Sequence, residues 1–207
     1  MFKTLKKTMM TFLAAGLLAV PAMAGAQAAA VGEAAPDFTL TDTHGNEHSL
    51  SDFAGQVVVL EWFNHECPFV VKFYDSGKMQ ELQRSAAEDG IVWLTVVSSA
   101  PGTQGYTSAD EANEIIANWE SAEAARLLDP EGTAGRLYDA RTTPHMYIID
   151  TEGTLVYNGA IDSIASANQD DIEKADNYVV NALEALAAGA PIEPNQTRPY
   201  GCSVKYN

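Results

Sequence analysis

The chain has 207 residues, with 28 acidic against 12 basic side chains and a formal net charge of −16 at pH 7. So acidic a surface is repelled by nucleic acid and by anionic lipid, which excludes both as partners. Hydrophobic residues make up 46% of the chain, enough for a packed core and too many for a disordered one.

The N-terminus reads as a targeting segment. Lys3, Lys6 and Lys7 form a positive region, Met9 to Val20 an apolar one, and Pro21 follows. The small-residue sites Ala22-Met23-Ala24 and Ala26-Gln27-Ala28 then complete a secretory signal over residues 1–28, cleaved near 24 or 28. The apolar run is short for a bilayer, and no cysteine follows it directly to carry a lipid. A soluble periplasmic or secreted protein without a membrane anchor is expected, with one domain over residues 31–190 and a tail over 191–207.

Val31 to Leu40 is extended, Asp42 to Glu47 supplies a turn and His48 to Leu50 returns, which predicts a hairpin. His44 and His48 read as solvated hairpin residues. Ser51 to Gly55 is a short turn, and Val57 to Leu60 a buried strand. From Pro68 to about Ala87, the spacing of Phe69, Phe73, Met79, Leu82 and Ala86 predicts one long helix ended by Gly90. Ile91 to Val97 is a continuous apolar run that suits a central strand. Beyond the loop Ala100–Tyr106, Ser108 and Glu111 form a capping box, opening a helix to about Trp119. Leu127-Leu128 reads as a strand, and a short helix runs through Leu137-Tyr138. Pro144 heads the apolar strand to Asp150, Gly153 turns it, and Thr154 to Tyr157 returns. Asp171 to Ala188 predicts a last amphipathic helix, ended by Gly189 and Pro191. This order predicts an α/β fold with helices on both faces of a central sheet.

Cys67 lies where the strand hands over to the helix. Pro68 suits the first helical position, which makes Cys67 the N-cap, beside unpaired amides and the positive end of the helix dipole. Such surroundings favour a thiolate, so Cys67 is the candidate nucleophile; the alternative is a buried cysteine acting as a small hydrophobe. Cys202 is the second cysteine. An even count in an oxidising compartment invites a disulfide, which across so long a loop is worth about 4–5 kcal/mol in the chain-entropy model. Whether that bridge is a staple or is made and broken in use stays open.

Several segments carry a family resemblance. They are Gly32 to Leu40 (G-x-x-A-P-D-F-x-L), Leu50 to Gly55 (L-S-D-x-x-G), Asn64 to Val70 (N-x-x-C-P-F-V), Thr142-Thr143-Pro144, and Gly201 to Tyr206 (G-C-S-V-K-Y). Together they resemble the thioredoxin-like superfamily on its peroxiredoxin-like, AhpC/TSA (redoxin) branch. The resemblance implies a central mixed sheet with helices on both faces and an N-terminal β-hairpin extension. It further implies a cis-proline at Pro144 facing Cys67, with Thr143 offering its backbone to an incoming chain, and a tail that folds back so that Cys202 resolves an adduct on Cys67. It implies neither cofactor nor metal.

The departures narrow the chemistry. Val70 stands where a C-x-x-C motif has its second thiol, so exchange within one motif is impossible. Leu60 and Asn64 stand where peroxiredoxins carry a proline and a hydroxyl. Asn64 still offers an amide donor, and Arg141 is the candidate cation. Glu66 opposes a thiolate next to it, and His65 is neutral much of the time at neutral pH. Val71 replaces the second cysteine of the copper-handling Sco-type proteins. The reading is an exported thiol redox protein acting on a protein thiol or disulfide or a small hydroperoxide, and served by a reducing thiol partner. The alternatives are a redox-inert peptide-binding module stapled by Cys67–Cys202, and a copper handler using His145 and His65.

Overall fold

The computed structural model describes residues 28–207. The expected signal segment lies outside them except for Ala28.

A seven-stranded mixed sheet forms the centre of the molecule. Its middle is the strand β3 (Val58–Trp62), parallel to β4 (Val92–Val97) and antiparallel to β7 (His145–Ile149). Outward from β4 come β5 (Ala125–Leu128) and then the N-terminal hairpin β1 (Thr39–Asp42) and β2 (Glu47–Ser49); β8 (Leu155–Gly159) closes the other edge. Strand alternation divides the core. Val58, Leu60, Trp62, Leu94, Val96 and Tyr147 enter one apolar cluster; Val59, Phe63, Trp93, Val97, Met146 and Ile148 enter the other. The first cluster is closed by the short helix α4 (Thr133–Leu137), the second by α1 (Pro68–Asp75), α2 (Lys78–Glu88), α3 (Ala109–Trp119) and α5 (Tyr178–Ala187). His48 is not free: its Nε2 lies 2.9 Å from Asp42 Oδ2.

Two helix expectations need correction. The single helix from Pro68 to Ala87 is broken at Ser76-Gly77, where Gly77 takes φ +75°, a left-handed conformation that ends α1 and starts α2 in a new direction. The last helix does not begin at Asp171. Residues Gln169–Lys174 form a 3-10 turn, and Asn177 then caps α5 by accepting from the amides of Val179 and Val180. The capping box at Ser108 and Glu111 opens α3 as its residue types require.

The tail ends in a second small sheet. Its strand β9 (Cys202–Ser203) pairs antiparallel with β6 (Thr142–Thr143), Thr143 opposite Cys202.

Candidate active site around Cys67

Cys67 caps α1 with Pro68 in the first turn, at the carboxyl end of β3, where open α/β sheets hold their sites. Its side chain is 0% exposed and packs with Phe63, Val70 and Phe73. Cys67 Sγ donates to the Thr143 carbonyl at 3.0 Å and accepts from the Cys202 amide at 3.4 Å. The Thr143–Pro144 peptide is cis. Cys67, Thr143, Pro144 and Cys202 thus meet in one place, and both cysteines are free thiols.

Burial, then the hydrogen bond and charge of Cys67, push the Cys202 thiol up to about 12; Lys205 opposes this weakly. Cys202 is therefore protonated at neutral pH.

Asn64 and Arg141 lie differently. Asn64 is buried and shapes the turn before the nucleophile: its Oδ1 accepts from Glu66 N at 2.8 Å and its carbonyl from Cys67 N at 3.1 Å. Gly105 packs on its amide so closely that a Cβ there would come within 2.3 Å of Asn64 Cγ. The side chain of Arg141 is 71% exposed and pairs with Asp139, whereas Cys67 is sealed. His145 follows the cis-proline, is 3% exposed, and has both ring nitrogens engaged: Nδ1 accepts from Arg141 N at 3.3 Å and Nε2 donates to Asn158 Oδ1 at 2.7 Å. Neither nitrogen is available to a metal. Among the described residues no group of three or more His, Cys, Asp or Glu could hold an ion.

Two buried charges at the site carried no role in the sequence reading. Glu61 lies in β3 on the Cys67 side of the sheet, fully buried, and accepts from Tyr74 Oη at 3.2 Å and Trp93 Nε1 at 3.0 Å. Lys72, on the buried face of α1, pairs with Asp162 at 3.3 Å, and Tyr200 from the tail bonds to both. A charge inside an apolar run is the signal that marks each of them: Glu61 within Val57–Phe63, Lys72 within Phe69–Phe73.

Glu61 and His145 make opposite contributions to pH dependence. Burial raises the Glu61 carboxyl from 4.5 to about 7, so its share of stability is full below pH 4.5 and is lost as pH rises through 7. Burial lowers His145 from 6.5 to about 4, so its share is full above 6.5 and is lost as pH falls through 4. Each shift corresponds to about 3 kcal/mol, and the two offset one another across the mildly acid range. Glu61→Gln removes one of the pair. Its stability to urea is expected to climb with pH by about 3 kcal/mol between pH 4 and 6.5, while the native chain stays nearly flat. Parallel profiles for the two proteins would contradict this account.

The AhpC/TSA family model matches residues 31–158. The chain belongs to the AhpC/TSA family. Thiol-disulfide oxidoreductase ResA of Geobacillus kaustophilus (strain HTA426) is 38% identical over 76 residues, which cover 33% of this chain and 44% of ResA. The AhpC/TSA chain thus matches less than half of that relative's length. A hypothetical protein from Sinorhizobium meliloti 1021 superposes with a TM-score of 0.73 at 21% identity, covering 87% of this chain and 97% of the other. An uncharacterized conserved protein from Geobacillus kaustophilus gives 0.73 at 24%, covering 86% and 93%. The thioredoxin domain of a thiol-disulfide oxidoreductase from Bacteroides vulgatus gives 0.51 at 21%, covering 70% and 96%. At these identities the structures establish the fold, which is thioredoxin-like. No helix among the described residues is long and apolar enough to cross a membrane.

Proposed function

We propose that this AhpC/TSA protein is an exported thiol-disulfide oxidoreductase whose working pair is Cys67 and Cys202. The observation that carries the reading is the 3.4 Å contact of the Cys202 amide with Cys67 Sγ, held by the pairing of β6 with β9. It supplies from the tail the second thiol that Val70 denies to the helix.

The Cys67 thiolate attacks a substrate disulfide R–S–S–R′, forming Cys67–S–S–R and releasing R′S⁻. Cys202 then gives up its proton and attacks the Cys67 sulfur, so that the pair closes as Cys67–S–S–Cys202 and RS⁻ leaves. Two electrons have passed to the substrate, and an external dithiol restores the pair while becoming a disulfide itself. The order is built into the electrostatics. Once Cys67 is in the adduct, its hydrogen bond and charge no longer raise the Cys202 thiol, which burial still raises and Lys205 lowers.

The contact of Cys67 Sγ with the Thr143 carbonyl supports a placing role for Thr143 and Pro144. Asn64 acts by shaping the turn. Arg141, turned to Asp139, takes no part in this scheme. The inert peptide-binding alternative is disfavoured because the edge at Thr142–Thr143 is already filled by β9. Export rests on the Lys3–Ala28 pattern, and the N-terminal residue of the secreted protein checks it.

Steady-state disulfide reduction driven by a dithiol, in the native chain and in Cys67→Ser and Cys202→Ser, tests the reading. Impaired turnover in both variants supports it. Unchanged turnover in either, with only a lowered melting temperature, removes it.

A further inference from the structure

An extended polypeptide reaches a sheet by adding a strand to a free edge. Beside Cys67 that edge is β6, and the chain's own tail occupies it. Thr142 pairs with Ser203 and Thr143 with Cys202, and Val204 N donates to the Arg141 carbonyl at 3.0 Å. The fit leaves no spare room. Gly201 takes φ +129°, and a Cβ there would sit 2.0 Å from the Thr143 oxygen.

Both ends of this strap are pinned. On the near side the Tyr200 hydroxyl donates to Asp162, whose carboxylate pairs with Lys72 at 3.3 Å, and the Tyr200 ring packs edge-on to Phe69 at 5.7 Å. On the far side Ala100 N donates to the Lys205 carbonyl at 2.8 Å, and Tyr206 Oη donates to the Ala140 carbonyl at 2.7 Å. The Tyr206 ring lies in a slot made by Gly132 and Gly135, beneath the Arg136 guanidinium at 4.6 Å.

Between the pins Gly201 to Val204 bridges the nucleophile. A cleft of about 580 Å³ opens beside it, lined by Thr142, Ser163, Arg198, Tyr200 and Gly201 among others. That cleft is lined by Gly201 but not by Cys67, so a small disulfide within it is separated from the thiol by Gly201 and Cys202 alone. A protein disulfide needs more: its flanking backbone has to displace β9 from the edge entirely.

We infer that the strap Tyr200–Tyr206 selects substrate by size, so that Cys67 takes low-molecular-weight disulfides and rejects disulfides within folded or extended polypeptide. The inference rests on the thiol-disulfide exchange proposed above. The attack on a small disulfide is the step already written, with the smaller thiol as the leaving group.

The test follows oxidation of the reduced, full mature chain by bis(2-hydroxyethyl) disulfide and by insulin, using acid quench, alkylation and intact mass. The native chain is expected to favour the small disulfide by about 100-fold or more, a ratio that Tyr206→Ala narrows by about 10-fold because the gain on insulin exceeds any gain on the small disulfide. Tyr200→Phe, which keeps the ring and loses the hydroxyl, narrows it in the same direction. Far-UV and near-UV circular dichroism matching the native chain, with oxidation by the small disulfide at least as fast, certifies that each variant is folded. Comparable rates on insulin and the small disulfide in the native chain, or no gain on insulin in either variant, overturns the size selection. Oxidation by neither substrate overturns the exchange activity itself.

Discussion

Cys67→Ser is expected to lower dithiol-driven disulfide turnover by more than about 10³-fold, because serine provides no ionised nucleophile at neutral pH. Cys202→Ser behaves differently. It forms one mixed disulfide per chain in a rapid burst and then stalls, since only the external dithiol can release the adduct. Its steady state falls by at least about 10-fold and becomes first order in that dithiol, replacing a thiol held beside the target by one from solution. Intact mass after acid quench identifies the trapped adduct, and peptide mapping assigns it to Cys67. The mechanism is contradicted if Cys202→Ser turns over at the native rate, or if the adduct maps anywhere else.

The second large effect belongs to stability. Lys72→Ala leaves the Asp162 carboxylate buried without its cation, for the Lys72 side chain is 0% exposed and that of Asp162 3% exposed. Removing one partner of such a pair costs about 3–5 kcal/mol. Asp162 still accepts from Ile164 N at 3.1 Å and from Tyr200, and these bonds offset little of the lost charge. Because Tyr200 bonds to both members of the pair, the loss reaches the tail. Urea unfolding measures the first effect. Faster alkylation of Cys67 in the native state measures the second, since a loosened strap uncovers a thiol that is otherwise 0% exposed. A loss below about 1 kcal/mol would mean that Asp162 finds another partner, and the pin at Tyr200 would lose its basis.

What could be read from the sequence follows the range of the interactions. Cys67 at a helix start is local: an apolar run, a cysteine and a proline in succession suffice. So is the Ser108–Glu111 capping box, and so are the continuous apolar runs that make β3, β4 and β7 strands buried on both faces. Gly77 is invisible to apolar spacing, which runs through it, because the left-handed turn interrupts the backbone without disturbing that period. Asn177 is hidden for a similar reason, as a side-chain cap in the middle of a periodic segment leaves no mark on the period.

Spacing and period do not reach the long-range features; only the family resemblance implied that the tail folds back to Cys67. β9 is two residues long and has no period to detect. Lys72 meets Asp162 across 90 positions and Tyr200 across 128, so no spacing rule connects them. Only the presence of a charge among apolar neighbours hinted that Lys72 and Glu61 had buried partners. The tail's anchors leave no periodic trace because Tyr200 and Tyr206 act through single hydroxyls and rings set into slots of the domain.

The reduction potential of the Cys67–Cys202 pair tests the central claim most directly, by equilibrating the mature protein in redox buffers, alkylating, and weighing the intact chain. A pair that exchanges in use has a potential between about −120 and −270 mV, and that is the value expected here. A potential below about −300 mV would identify a structural staple, and failure to form the bridge at all would leave Cys202 without a role; either result contradicts the account.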